Sequence, residues 1–403
     1  MPKSVLVIST LDTKEQETLY LKDKLSAIGL LPILMDISGR GSDIAEIDIH
    51  ATRVAEVGGG DFEEMKSSRD RTRITNIMMT GGSHVATKLL AEGKLDGVIA
   101  LGGSTGSLMG SEIMRALPFG IPKVMISSTA ALPGLSTRYI GTGDIVLFHS
   151  VVEISGVSDL LKNVMDRAAY ALAGMVEDDI ASPRTGKGKA IALTMLGPCE
   201  KCASSVRIAM EQKGYQIIGF SAAGIGDRAM EDMIAAGFFQ GVIDLAPGGV
   251  GEHHFGFMRD AGPHRLESAG NLGIPQIIST CSVNHMTPSR SKYKPEFHER
   301  RKFDLDRLRT WIRLSPDELK EVAGIFADKL NRSKGPVTVM IPRMGWSAAD
   351  LPGNDTHDPA EDQLFTQVLR EKLKPEIQIL EVNANMEDPE FAAAVVENAL
   401  KIF

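Results

Sequence analysis

The sequence predicts an α/β protein of two Rossmann-like domains with mostly parallel sheets. Two observations carry this expectation. Short β-rich apolar runs alternate with amphipathic, helix-like stretches along the chain. Glycine is unusually frequent, 40 of 403 residues against a usual share of roughly 7%, while aromatics make up only 5%. That composition suits tight βα turns better than an all-β sandwich. Continuous apolar strands separated by helices imply parallel sheets covered on both faces.

In chain order the expected strands are VLVIS (5–9), LPILMDI (31–37), GVIAL (97–101), KVMIS (123–127) and DIVLF (144–148). The pattern resumes with AIALTML (190–196), QIIGFS (216–221), GVIDLA (241–246), QIIST (276–280), VTVMI (337–341) and IQILEV (377–382). Between the two sets lies EDDIASPRTGKG (177–188), polar and carrying Pro and Gly, which reads as a linker. It divides the chain into domains 1–182 and 183–403. The halves resemble each other: DGVIALGG (96–103) parallels QGVIDLAPGG (240–249), and GIPKVMISST (120–129) parallels GIPQIISTCS (273–282). Internal duplication of one unit accounts for this. The first half then carries an insertion of about 41 residues at 39–80.

The net charge of −8 argues against nucleic acid as a partner, because phosphate binding draws on clustered Lys and Arg. Three cysteines (Cys199, Cys202, Cys281) cannot close a disulfide framework, which points to a reducing compartment. The opening MPKSVLVISTLDTKEQ lacks the apolar length of a signal peptide, and no run approaches about 18 apolar residues. A cytoplasmic protein without membrane partners is the expectation.

Ligands of open α/β sheets bind outside the carboxyl ends of the strands, so chemistry is sought in the residues after each strand. Gly102-Gly103-Ser104-Thr105-Gly106-Ser107 follows a strand and opens a helix. Glycines allow close backbone approach, and amides at a helix start attract phosphate or carboxylate. A tight turn with a serine N-cap is the plainer alternative. The same residues match the G-x-S-x-G nucleophile elbow, with Asp144 and His149 downstream. In the turn after the first strand, Thr10, Thr13 and Lys14 could meet a phosphate, and Asp12 suits an N-cap. Thr129 and the Thr142-Gly143-Asp144 segment would converge on the same rim, with Asp144 a candidate Mg²⁺ ligand.

Histidine concentrates in the second half. Gly248 and Gly249, followed by His253 and His254, occupy the position equivalent to the first-half glycine loop. Arg265 follows at the next helix start, and Asn284 and His285 lie beyond the strand QIIST. Glycine with His, Arg and Asn suits an anionic substrate and proton transfer: the histidines and Arg265 as catalytic groups, Gly248, Gly249 and Asn284 as substrate contacts. No resident metal is expected there. Cys199-Glu-Lys-Cys202 has redox-type spacing at a strand-to-helix turn, although small residues at a helix start are the default. The basic excursion 290–313 reads as a lid, a subunit contact or a salt-bridged surface. Asp358-Pro359 reads as an N-cap followed by an N1 proline.

Taken together, STLDTKEQE, DGVIALGGSTGS, GTGDI, LAPGGVGEHHFG, GPHRL, GIPQIIST and KLNRSKGPVTVMIPRMGWSAADLPG resemble the Tm-1-like ATP-binding family, over nearly the full chain. The resemblance implies two Rossmann-like subdomains, ATP bound in the first, and self-association as a homodimer or larger homo-oligomer. It favours Thr10–Lys14, Gly102–Ser107 and Thr142–Asp144 as nucleotide contacts. The functional expectation is an ATP-dependent enzyme of phosphoryl-transfer type, acting on a small anionic metabolite in a cleft between the domains. The alternative is a non-catalytic, nucleotide-responsive oligomer.

Overall fold

The structure, a computed structural model, describes residues 2–177, 189–307 and 309–403. It divides into two compact units, Met1–Pro183 and Arg184–Phe403. Beyond Glu177 the expected linker lies outside the described residues.

The first unit contains β1 (Ser4–Ser9), β2 (Leu31–Asp36), β3 (Gly97–Gly102), β4 (Lys123–Ser127) and β5 (Val146–His149). They form one sheet in the order β2-β1-β3-β4-β5, every neighbouring pair parallel. Side chains alternate between the two faces of a strand, and here both faces are buried. Val5, Val7, Ile99 and Leu101 pack with the helices Leu11–Ala27 and Asp159–Glu177. Leu6, Ile8, Val98 and Ala100 pack on the opposite side, with Val54, Met78 and Ile113. Each fully buried aliphatic side chain contributes roughly 1.5–3 kcal/mol, which is why these strands read as unbroken apolar runs. The insertion contributes to this core. It forms the helices Ala51–Val57 and Phe62–Ser67 and begins Arg71–Ala91, and it buries Val54, Phe62, Met65 and Met78.

The second unit contains β6 (Ala190–Met195), β7 (Gln216–Ser221), β8 (Gly241–Asp244), β9 (Gln276–Ile278), β10 (His285–Met286), β11 (Lys302–Asp304), β12 (Thr310–Arg313), β13 (Val337–Pro342) and β14 (Gln378–Val382). Six of them make a parallel sheet in the order β14-β13-β9-β8-β6-β7. Read from its other edge, this is second-first-third-fourth, the arrangement of the first unit with one strand added. The duplication seen in the sequence is therefore repeated in the topology. In such a sheet the strand order reverses beside the first strand, between β1 and β3 and between β6 and β8, and ligand crevices form there.

The segment expected as a basic excursion supplies β11 and β12, which with β10 form a three-stranded antiparallel sheet, β10-β12-β11. Three of its cations are held within the chain: Arg300 by Glu318 (2.6 Å), Arg301 by Asp358 (2.8 Å) and Arg309 by Asp306 (2.6 Å). Two helix starts flank it. Ser315 and Glu318 form a capping box ahead of Pro316–Leu330. Asp358 caps Pro359–Lys372 by accepting from the Glu361 amide at 2.9 Å, as its sequence implies. Among the described residues no helix is long and apolar enough to cross a membrane.

Candidate functional site

In the first unit the turns after β1 and β3 meet at the carboxyl edge of the sheet. Gly102 has no room for a side chain: a Cβ there would stand 2.8 Å from the Gly106 Cα. A Cβ on Gly106 would stand 3.9 Å from Thr10 Oγ1, so the two turns lie side by side. Gly103 is the N-cap of the helix Ser104–Arg115 and brings no capping side chain, while Ser104 and Thr105 are exposed. The serine N-cap weighed as the plainer alternative is therefore absent, and the helix start is bare. Thr10, not Asp12, occupies the N-cap position of the neighbouring helix Leu11–Ala27, without a capping bond from its side chain. Its hydroxyl lies 3.2 Å from that of Thr13. Burial and the nearby Asp36 push the Asp12 carboxyl above its usual value.

Other expected contacts are already engaged. The Ser107 hydroxyl is buried within hydrogen-bond distance of Gly102 O (3.0 Å) and Ser127 Oγ (2.7 Å), donating to one of them. Thr129 reaches the same edge, but its hydroxyl pairs with Tyr139 at 2.7 Å. Lys14 leaves helical geometry (φ −129°, ψ 29°) and its ammonium donates to the Ile154 carbonyl. Glu153, which sequence reasoning missed, accepts from Ser128 Oγ at 3.1 Å and faces Gly103.

Thr142-Gly143-Asp144 does not join this rim. It precedes β5 and so lies at the amino edge of the sheet, where Gly143 abuts Arg115 at the far end of the helix that Ser104 begins. Asp144 accepts from the buried Lys123 ammonium (2.6 Å) and from the Gly120 amide (2.7 Å). This placement also separates Asp144 from Ser104 and removes the acid that a nucleophile elbow would need.

The second unit departs further from expectation. Arg265 is buried and enclosed by Asp227 (2.9 Å), Glu231 (3.3 Å) and Asp244 (2.7 Å). Burial opposes its charge, but the three carboxylates outweigh burial and hold the guanidinium above its ordinary pKa. It ties the core together and has no vacancy for a substrate anion. His253 and His254 lie in the last turn of Gly249–Phe255, away from the glycines at its start. They face Asp260 (2.8 Å) and Glu321 (3.3 Å). Gly248 is packed under the next loop, where a Cβ would stand 2.4 Å from Ser282 O. Gly249 likewise abuts Ala261, a Cβ there standing 2.5 Å from that residue's own Cβ. The cysteines are buried, burial holds the Cys202 thiol well above its usual value, and Glu387 accepts from the Cys202 amide at 3.2 Å. A reactive C-x-x-C does not fit that setting.

Asn284 and His285 do enter a polar centre, one whose other members sequence reasoning did not single out. The Asn284 amide donates to Asp350 (3.1 Å) and Asp362 (3.0 Å). His285 Nε2 lies 3.5 Å from Asp350 Oδ1, and its ring stacks on Trp311 at 5.0 Å. Arg259 lies over the same indole, also at 5.0 Å, and pairs with Glu252 at 2.8 Å. Arg313 completes the group through Asp362 (2.7 Å) and Glu361 (2.7 Å). Burial, with Arg313 and Arg259 nearby, holds the His285 imidazole neutral, well below its usual pKa. Burial and the neighbouring Asp362 raise Asp350 to about 7. A neutral imidazole beside a carboxyl poised near neutrality can exchange protons with a bound group. Among the described residues no cluster of three or more His, Cys, Asp or Glu is arranged to hold a metal ion.

Comparison with known proteins places both units in one family. Residues 3–181 match the N-terminal domain of the uncharacterised protein family UPF0261, and residues 188–403 match its C-terminal domain. A UPF0261 protein of Clostridium tetani is 35% identical over 404 residues, covering 100% of this chain and 99% of that protein. One from Brucella suis is 30% identical, covering 99% of this chain and 94% of its own length. The ToMV resistance protein Tm-1(GCR237) of Solanum lycopersicum is 35% identical over 320 residues, 77% of this chain and 42% of that longer protein. The chain belongs to the UPF0261 family, whose members include relatives of the tomato Tm-1 resistance proteins.

Proposed function

We propose that the first unit binds ATP where the Thr10–Lys14 and Gly102–Ser107 turns meet, and that the protein is an ATP-dependent enzyme acting on a small molecule. The observation that carries the reading is the approach of Thr10 to Gly106 beside the uncapped start of Ser104–Arg115. Two helix starts and two exposed hydroxyl side chains, Ser104 and Thr105, then lie side by side at the strand-order reversal. Backbone amides at a helix start, aided by the helix dipole, favour phosphate oxygens. Glu153 is better placed than Asp144 to hold a nucleotide-bound Mg²⁺, since it lies at the same edge. In phosphoryl transfer the protein contributes mainly positioning and charge stabilisation, roles suited to a preorganised loop.

Isothermal titration with ATP·Mg²⁺ tests the site, using Gly103→Asp as the variant. Gly103 has extended backbone and open space around its Cα, so aspartate fits there and can cap the helix itself. The variant stays folded but sets a carboxylate where the phosphates would lie. Wild-type binding weakened at least about tenfold supports the proposal, a loss of about 1.4 kcal/mol. Equal binding by the two proteins refutes it.

A further inference from the structure

A second feature stands independently of the nucleotide reading. In the second unit the carboxyl edge of the sheet is enclosed. The turn Gly197–Cys199 after β6 packs against the turn Ala348–Asp350 after β13, and Ser282, after β9, presses on Gly248, after β8. Four strands thus send their following turns to one place, at the strand-order reversal where doubly wound sheets hold their ligands. Ser282 is held at φ +62°, an uncommon conformation for a residue with a side chain, and such strain clusters at functional sites.

The polar atoms gathered there are incompletely paired within the chain. Asn284 Oδ1, both ring nitrogens of His285, Trp311 Nε1, Asp350 Oδ1, Asp362 Oδ2 and Arg259 Nη1 are buried without a hydrogen-bond partner. They account for most such atoms among the described residues. An unpaired buried polar group costs about 1–3 kcal/mol, so their concentration in one place calls for a common counterpart.

The unpaired set specifies what that counterpart is. Trp311 Nε1 and Arg259 Nη1 can only donate, whereas Asn284 Oδ1 and an ionised Asp362 Oδ2 can only accept. Hydroxyl groups answer both needs, because each donates and accepts. Anions are disfavoured: Arg259 is matched by Glu252, Arg313 by Asp362 and Glu361, and Asp350 adds one further acid to the centre. A simple amine would leave the indole and guanidinium donors without acceptors.

We infer that the carboxyl edge of the second unit's sheet is a closed binding site for a small, uncharged, hydroxyl-rich molecule, held by Asn284, His285, Trp311, Asp350 and Asp362. The small sheet β10-β12-β11 supplies one wall, since β10 carries His285 and β12 carries Trp311 and Arg313. Entry requires that wall to lift.

The chain has only two tryptophans, Trp311 and Trp346. In the full-length Trp346→Phe protein, Trp311 fluorescence therefore reports on the site alone. Titration with glycerol, D-ribose and myo-inositol should give a saturable change for at least one, with ribose 5-phosphate and ethanolamine at least tenfold weaker. Asp350→Asn should abolish the response without lowering the melting temperature. Isothermal titration of the unmodified chain should give the same ranking of probes, which guards against a folding defect in the Phe variant. Failure of all three uncharged probes in both assays, or tighter binding of the phosphate ester or the amine, would overturn the inference. So would an Asp350→Asn protein that binds normally, or one that loses binding only because it melts early.

Discussion

Replacing Asp350 by asparagine separates a functional carboxyl from a structural one, because the two predict opposite changes in stability. Asp350 is fully buried, and Asp362, His285, Arg313 and Cys281 surround it. Burial and Asp362 raise its pKa from 3.8 to about 7. Below pH 4 the carboxyl is protonated whether the chain is folded or unfolded, so it does not affect stability. Between about pH 4 and 7 the folded state keeps a proton that the unfolded chain has lost, and stability falls as pH rises. Above 7 the full cost of the buried charge is present. Roughly three pKa units at about 1.4 kcal/mol each set a ceiling near 4 kcal/mol, part of it shared with Asp362. Asparagine stays neutral and can still accept from the Asn284 amide. The variant should therefore be more stable than wild type by about 2–4 kcal/mol at pH 8, and by much less at pH 5. Asp362, whose own pKa burial raises, shares this window, whereas His285 is already neutral and burial keeps the Cys281 thiol protonated. Urea unfolding followed by tryptophan fluorescence provides the assay, and both tryptophans lie in the second unit. A variant less stable than wild type at pH 8, or a difference equal at both pH values, would refute the reasoning.

Three further outcomes follow from the same geometry. Asp144→Ala leaves the Lys123 ammonium buried with only carbonyl partners, and should cost about 2–3 kcal/mol while ATP titration is unchanged. Loss of nucleotide binding without loss of stability would return Asp144 to the site. Arg265→Met abandons three carboxylates in the core and should lower the urea midpoint of the second unit by at least 3 kcal/mol equivalent, roughly; near-normal stability would show that the arginine is free for substrate. Gly248→Ala sets a methyl 2.4 Å from Ser282 O, and should destabilise the second unit by about 1–3 kcal/mol in the same assay, an idea that an unchanged midpoint would sink.

The parallel strands were legible because burial on both faces leaves an unbroken apolar run, and all eleven expected strands form. β10, β11 and β12 were not legible. They are two to four residues long, and the charges around them hide any alternation. The glycine turn of the first unit could be read because close backbone contact requires glycine at Gly102. Asp144 was misjudged because chain order does not say at which end of a sheet a residue lies: it comes before its strand, not after. Arg265 looked like an anion receptor since its partners Asp227, Glu231 and Asp244 are 38, 34 and 21 positions away. The Asp350–Asp362 centre has the same difficulty, although the Asp358-Pro359 cap marks where the helix carrying Asp362 begins.

The two units share a strand order yet treat its reversal point differently, and the difference begins with the residue that follows the tight glycine. In the first unit Gly102 leads to Gly103, with open space around it, and then to exposed Ser104 and Thr105. In the second, Gly248 leads to Gly249 and a run that stays buried through Glu252, with Ser282 folded onto it. An open helix start suits a large, charged ligand that keeps much of its hydration. An enclosed centre with neutralised arginines penalises charge and favours small, uncharged partners, because a buried ion without a matching counter-charge costs several kcal/mol, roughly. On the two proposals above, one topology used twice would give one surface suited to phosphate and one interior that rejects it. Anionic substrates expected from the histidines and Arg265 fit neither the paired arginine nor the carboxyl-rich centre.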